Sequence, residues 1–203
     1  MKLLVGLLIV IVVVIVMILV LDGVIIGVAA WEKGKKSAPE SFLLKEKNRL
    51  ALQRSTECAG FSSAHVLRSF GVEAEGNDMY ARMPGKLKNG AVLPGKLKKV
   101  LRGYGFKVRF VRGNVDSLKS ELAKGNRVIA FVKTRLDKRW LHYVPIVGYN
   151  EEEIFIAESL GYLTNCREEH FNRRLSTEEF LKYWNTSAWY MPFYKNTYLV
   201  VER

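Results

Sequence analysis

The 203 residues carry 32 Lys or Arg against 20 Asp or Glu, a net charge of +12, with 49% hydrophobic residues, three histidines and two cysteines. That length allows one domain of ordinary size plus an appendage, and two cysteines, Cys58 and Cys166, permit one disulfide at most. No histidine and cysteine spacing suits a zinc site and no cofactor is implied; the basic residues are spread over Arg82, Lys99, Arg112 and Arg139 rather than gathered on a reading element, which argues against nucleic acid as a partner.

The appendage comes first. Residues 3–21 are an unbroken apolar run, about 28 Å long as a helix and close to the ~30 Å of bilayer hydrocarbon. A cleaved signal peptide has a shorter apolar core, typically ~7–15 residues, so residues 1–32 read as a single-pass transmembrane anchor. Asp22 interrupts the run before it resumes toward Trp31, an aromatic suited to the interface. Residues 33–49 read as a charged stalk. Its Lys33, Lys35 and Lys36 outnumber Lys2 and the amino terminus by one charge, which by the positive-inside rule leans toward a cytoplasmic domain. Without residues 1–36, which hold four Lys and two acidic residues, 28 basic and 18 acidic side chains remain, a charge of +10. Such a field suits contact with anionic lipid or wall polymer.

Residues 50–203 form the domain. Phe61, Ala64, Leu67 and Phe70 recur at helical spacing and Gly71 supplies the stop. Residues 72–93 are rich in Gly, Asn, Asp and Pro, and predict a helix fragment around 78–82 followed by a loop. Pro94 then suits the first position of a helix with Leu97, Val100, Leu101 and Tyr104 on its apolar face. Phe106, Val108 and Phe110 alternate with Lys107 and Arg109 as in a half-exposed strand, and Val115, Leu118 and Leu122 mark a helix that Gly125 ends. Three strand-like runs follow, 127–133, 140–149 and 153–158, joined by turns too short for anything but an antiparallel meander. Pro145 marks an edge or a bulge in the second, and an edge there would let a peptide add as a strand. Ser176 and Glu179 have capping-box spacing, with Leu175 and Phe180 as the staple. Residues 197–201 read as a closing strand. Trp189, Tyr190 and Tyr194 are placed either to line a groove or simply to pack.

The chemistry gathers around Cys58. It stands at the start of the first domain helix, where unpaired N–H groups and the positive end of the helix dipole favour thiolate. His142, on the second meander strand, is a candidate base for it. His65 lies about two turns along the same helix, on its polar side and too far to reach the sulfur, and His170 sits in a charged run. Ile154, Ile156 and Glu158 share one strand face, which brings Glu158 to His142 if the register allows; Asn150 is the other candidate to orient the imidazole. Cys166 is expected to be a free packing residue.

Cysteine at a helix start, Gln53 five residues before it, and His142 then Glu158 on consecutive strands together resemble the papain-like cysteine peptidases. The similarity is to the bacteriocin-processing, double-glycine leader peptidase type in particular, and to its stand-alone relatives without transporter domains. It runs from about residue 50 to residue 158, with Ala59 where the family usually has glycine and Glu158 where it usually has aspartate. It implies an α+β fold in which an N-terminal catalytic helix packs on an antiparallel sheet. It also implies peptide-bond hydrolysis, with Cys58 as nucleophile, His142 as general base, Glu158 orienting His142, and Gln53 helping to hold the oxyanion. A peptide or protein is then the substrate, and the secreted or surface-anchored relatives place the domain outside the cell. The alternative is a non-catalytic domain of the same fold that binds peptides or anionic polymers.

Overall fold

The computed structural model describes residues 2–21, 30–31, 38–138, 140–187 and 194–203. Asp22, Lys33, Lys35, Lys36, Trp189 and Tyr190, together with Arg139, lie outside them. Helix α1 (Lys2–Leu21) has no acidic residue in its first turn and no basic one in its last. It is long and apolar enough to cross a membrane, and none of it is buried against the rest of the chain, although a signal sequence at an N-terminus has the same character.

The domain is built on one sheet. Its strands are β1 (Ala30–Trp31), β2 (Phe42–Leu43), β3 (Lys107–Arg112), β4 (Arg127–Lys133), β5 (Leu141–Tyr149), β6 (Glu153–Ile156), β7 (Arg173–Ser176) and β8 (Thr197–Glu202). They run in the order β1-β3-β8-β4-β5-β6-β7. All neighbours are antiparallel except β1 on β3. The closing strand β8 therefore does not sit at an edge but is inserted between β3 and β4. Beyond the start of β4, β2 takes its place beside β5, with Phe42 opposite Tyr149 and Leu43 opposite Gly148. Residues assigned to the stalk thus join the sheet, and Leu44 is buried behind them.

Period-two alternation divides the core between the two sheet faces. Val108, Phe110, Ile129, Phe131, Leu199 and Val201 pack with residues of α2 (Cys58–Ser69), α3 (Gly76–Ala81) and α4 (Pro94–Gly103). Val128, Ala130, Val132, Tyr198 and Val200 pack instead with Leu118 and Leu122 of α5 (Val115–Ala123) and with Phe180 and Trp184 of α6 (Thr177–Trp184). Trp184 is fully buried and its indole N–H donates to the Thr197 carbonyl at 2.8 Å. Replacing such a side chain by alanine typically costs about 3–5 kcal/mol.

Several local expectations change in this setting. The complete capping box belongs to α5, where the Asn114 and Ser117 side chains each accept from the other's backbone N–H. At α6 only the Ser176 half forms, accepting from Glu179 N at 3.1 Å, because β7 runs directly into the helix. Pro145 does not mark an edge: β5 lies between β4 and β6. Its carbonyl still accepts from Ala157 N at 3.0 Å, so the ring removes one donor without ending the ladder. The bulge falls next to it, between Ile146 and Gly148. On the β6 side the ladder begins at Ile146, with one bond at Pro145, so residues 141–144 of β5 have a strand partner on the β4 side alone among the described residues.

Helix α2 is the centre of the domain and is buried nearly all round rather than along one stripe. Residues 59–67 are all buried, between β5 on one side and α3 on the other. The close approach to α3 depends on glycine at Gly60, where a Cβ would run into the Gly76 carbonyl and the Tyr80 backbone. Its buried hydroxyls are satisfied: Ser62 donates to the Tyr143 carbonyl at 2.8 Å and Ser63 to the Ala59 carbonyl at 2.7 Å. The segment before the helix is latched onto it, with Asn48 donating to the His65 carbonyl at 2.7 Å and Arg68 donating to the Arg49 carbonyl at 3.0 Å. That cover buries His65, which the sequence placed on a polar side. Burial and the nearby Arg68 push its pKa down to about 3, so it packs as a neutral imidazole.

Candidate active site

Three elements bring the sequence-predicted residues together. Cys58 is the first residue of α2, so its backbone N–H is among the donors a helix start leaves without an intrahelical partner. The preceding Glu57 does not cap the helix with its side chain; that carboxylate instead accepts from Ser55 N at 2.7 Å. Cys58 is half-buried. Directly across from the helix start, β5 carries His142, 2% exposed and opposite Val132 in the sheet register.

Glu158 completes the line. His142 Nε2 donates to Glu158 Oε1 at 2.7 Å, and the Cys58 thiol is close enough to the same ring to act on its charge. With Nε2 engaged by the carboxylate, Nδ1 is the nitrogen left for the sulfur. The register explains why a glutamate serves. Ile146 is paired with Ile156 and Ala157 still bonds to Pro145; carried two residues past the end of β6, that register sets Glu158 level with Val144 and one diagonal step from His142. Diagonal neighbours are about 7–8 Å apart between Cα atoms, a gap that suits the longer arm of Glu.

The electrostatics follow from that contact. Burial disfavours a charged imidazole, but Glu158 and Cys58 outweigh it and push the His142 pKa up to about 9. Burial likewise disfavours the carboxylate, yet His142, the Leu160 N–H at 2.8 Å and Arg173 together hold the Glu158 pKa down at about 2. Tyr143, next along β5, is buried and its pKa is raised well above the usual phenol range, first by burial and then by Cys58. It stays neutral and donates to the Val92 carbonyl at 2.8 Å.

Gln53 is tied to the residue that follows Glu158. Its backbone N–H donates to the Ser159 carbonyl at 2.8 Å and its Oε1 accepts from the Ser159 hydroxyl at 2.6 Å. The residue after Glu158 thus fixes the residue five before Cys58. The amide nitrogen donates one N–H to the Ser55 carbonyl, and a second N–H remains on it.

Asn150 is not at the site. It caps the β5–β6 turn, its Oδ1 accepting from Glu152 N at 2.9 Å and Glu153 N at 2.6 Å. Two residues that sequence reasoning missed lie against Glu158 instead. Arg173 Nη1 donates to Glu158 Oε2 at 2.8 Å, and the Asn172 side chain brackets the Glu158 backbone, accepting from its N–H at 2.7 Å and donating to its carbonyl at 2.9 Å. A signal was present for Arg173: counting back by two from the apolar Leu175 puts it on the buried face of β7. Cys166, the other thiol, is free and half-buried, and burial pushes its pKa up. Among the described residues no group of His, Cys, Asp or Glu is arranged to hold a metal ion.

A family model described as the peptidase C39 family matches residues 47–192. Among solved structures, the peptidase domain of Streptococcus ComA, a bifunctional ABC transporter involved in quorum sensing, is similar with a TM-score of 0.55 at 15% identity, over 77% of this chain and 98% of that one. A C39-like peptidase from Bacillus anthracis gives 0.54 at 13%, over 84% and 96%. A double-glycine-motif protease from an AMS/PCAT transporter, in complex with a leader peptide, gives 0.52 at 14%, over 79% and 97%. These likenesses carry the α+β fold with its antiparallel sheet. No curated protein matches the sequence.

Proposed function

The chain belongs to the peptidase C39 family, and we propose that it is a membrane-anchored cysteine peptidase working through Cys58, His142 and Glu158. The observation that carries this reading is the buried hydrogen bond from His142 Nε2 to Glu158 Oε1 at 2.7 Å, with the helix-start thiol of Cys58 close enough to the same ring to raise its pKa. Cys58 attacks the substrate carbonyl as thiolate, forming a C–S bond. His142 Nδ1 holds the thiol proton as imidazolium and delivers it to the leaving amine as the C–N bond breaks. Glu158 keeps the ring oriented and stabilises its charge. The backbone N–H of Cys58 and the remaining amide N–H of Gln53 receive the negative charge on the carbonyl oxygen. Water then repeats the sequence on the thioester, releasing the acid and restoring the thiol.

The substrate is a peptide or a peptide segment of a protein, supported by the leader peptide bound to the AMS/PCAT relative. The fork at Cys58 is tested by mass-spectrometric mapping of iodoacetamide labelling. Cys58 is expected to label far faster than Cys166 near neutral pH, because a thiolate and not a thiol is the nucleophile; His142→Ala should remove much of that advantage. Equal, slow labelling of both thiols, unaffected by His142→Ala, would leave a peptide-binding domain without catalysis.

The apolar segment before β1 is assigned as the anchor, its boundary set short of residue 32 because Ala30 and Trp31 pair with β3, with the catalytic domain outside the cell. Its charge of +10 suits the anionic surface of a membrane or wall polymer. A chain that starts at residue 30, retaining β1, should remain folded and stay in solution without detergent. Loss of its circular-dichroism signal would show that the apolar segment belongs to the domain, and persistence in the membrane fraction would show that another part of the chain holds it there.

A further inference from the structure

We propose that Arg173 is a positioning residue of the catalytic site, which clamps one oxygen of Glu158 so that the other is presented to His142. The proposal rests on the Cys58, His142 and Glu158 reading above. Its basis is the division of labour between the two carboxylate oxygens. Oε1 accepts from His142 Nε2 at 2.7 Å and from Leu160 N at 2.8 Å, while Oε2 accepts from Arg173 Nη1 at 2.8 Å. Asn172, adjacent to Arg173, fixes the backbone of Glu158 through both its N–H and its carbonyl. Glu has one more rotor than Asp, and a carboxylate free to turn about it would lose its aim at the imidazole. Anchoring the second oxygen removes that freedom.

The sheet places the clamp. Glu158 follows two residues after the end of β6, which runs between β5 and β7; Ile156 is opposite Arg173 and Ala157 bonds to Pro145. Two residues on, Glu158 is one diagonal step from His142 on one side and one from Arg173 on the other. Arg173 is 3% exposed, and among the described residues its ion pair is with Glu158. Its guanidinium carbon lies 5.2 Å from the centre of the Tyr183 ring, which covers the far side. A guanidinium buried this deeply is expensive without a partner.

Charge balance gives the arrangement a measurable consequence. The groups acting on the pair are Cys58 from α2 and Arg173 on β7, and Tyr143 on β5, which stays neutral, acts on Cys58. With the thiolate formed, Cys58 and Glu158 are negative, and His142 and Arg173 are positive. The buried site is then neutral. Without Arg173 it would carry a net negative charge whenever the thiolate forms, so thiolate formation should move to higher pH.

The test is the pH profile of Cys58 alkylation by iodoacetamide in the purified full-length chain, with Cys166 as internal control. Arg173→Met should shift the midpoint upward by about one pH unit, slowing labelling about tenfold at a pH below it. Arg173→Lys, which keeps the charge, should recover most of the shift. Because Arg173→Met strands the buried carboxylate and can unfold the chain, the double variant Glu158→Gln/Arg173→Met removes both charges together. Its midpoint should lie closer to that of the unaltered chain than the single variant's does, a non-additivity that a purely structural arginine would not produce. An unchanged midpoint in Arg173→Met, while Cys58 of the unaltered chain still outpaces Cys166, would overturn the assignment, as would a double variant shifted as far as the single. Equal labelling of the two thiols in the unaltered chain would instead remove the catalytic premise and the proposal with it.

Discussion

Replacing Cys58 by alanine is expected to abolish peptide hydrolysis, measured as new peptide N-termini appearing in a mixed peptide library incubated with the full-length chain. The loss should approach the ~10⁶-fold that removal of a covalent nucleophile produces elsewhere, which here means background. His142→Ala should lose about 10²–10⁴-fold, the usual contribution of general acid–base catalysis, with additional loss because the imidazolium no longer stabilises the thiolate. Combining the two should be no worse than Cys58→Ala alone, because nucleophile and base act as one unit. Glu158→Gln should lose less than His142→Ala, since it alters how the base is held without removing it. Undiminished hydrolysis in Cys58→Ala would place the chemistry elsewhere in the chain, and independent, multiplicative losses would separate Cys58 from His142.

A second large effect is expected on stability. Glu158 is 1% exposed and bonds to two cationic partners, His142 and Arg173, both also buried. Glu158→Ala strands the guanidinium without an anion, and breaking a buried pair by removing one partner typically costs about 3–5 kcal/mol. For a domain of this size each kcal/mol shifts thermal unfolding by about 2–4 °C. The pH dependence has a definite sign. Glu158 is held at about 2 against an ordinary 4.5, so its contribution is complete above 4.5 and is lost as pH falls through 2. His142 is raised to about 9 against an ordinary 6.5, so its contribution is complete below 6.5 and is lost as pH rises through 9. The two shifts describe one interaction seen from its two ends and are not to be added. The difference in stability between the unaltered chain and Glu158→Ala should therefore be widest from about pH 4.5 to 6.5 and narrow on either side. A difference that is flat across the range, or a variant more stable than its parent, would show that the carboxylate is not the centre of a buried ion network.

Much of this site could be read before any fold was known. The spacing of Phe61, Ala64 and Leu67 places Cys58 at a helix start, because a helix announces itself through local periodicity alone. Short polar turns make residues 127–158 an antiparallel meander for an equally local reason, since a parallel crossover does not fit into them. Strand alternation then puts Ile154, Ile156 and Glu158 on one side, leaving only the register open. The apolar run of α1 is likewise a property of composition.

Other features depend on which distant segments meet, and the chain carries no local mark of that. Arg173 reads as one more cation in a basic sequence until β7 is laid beside β6 and the guanidinium finds Glu158 at 2.8 Å. His65 looks like the polar side of a helix until residues 48–50 fold over it. The sequence allows either Asn150 or Glu158 to orient the imidazole; the bulge between Ile146 and Gly148 and the turn geometry make one a cap and set the other against the imidazole. Residues 42–44 look like stalk because an edge pairing of two residues leaves no periodicity to detect. Composition and periodicity identify which side chains are chemically able to form the site and on which kind of element each sits. The tertiary structure decided the pairing of those elements, and with it the burial that sets the charge state of His142 and Glu158. Desolvation and close ion pairing act through space between residues far apart in the chain, beyond the reach of any local pattern.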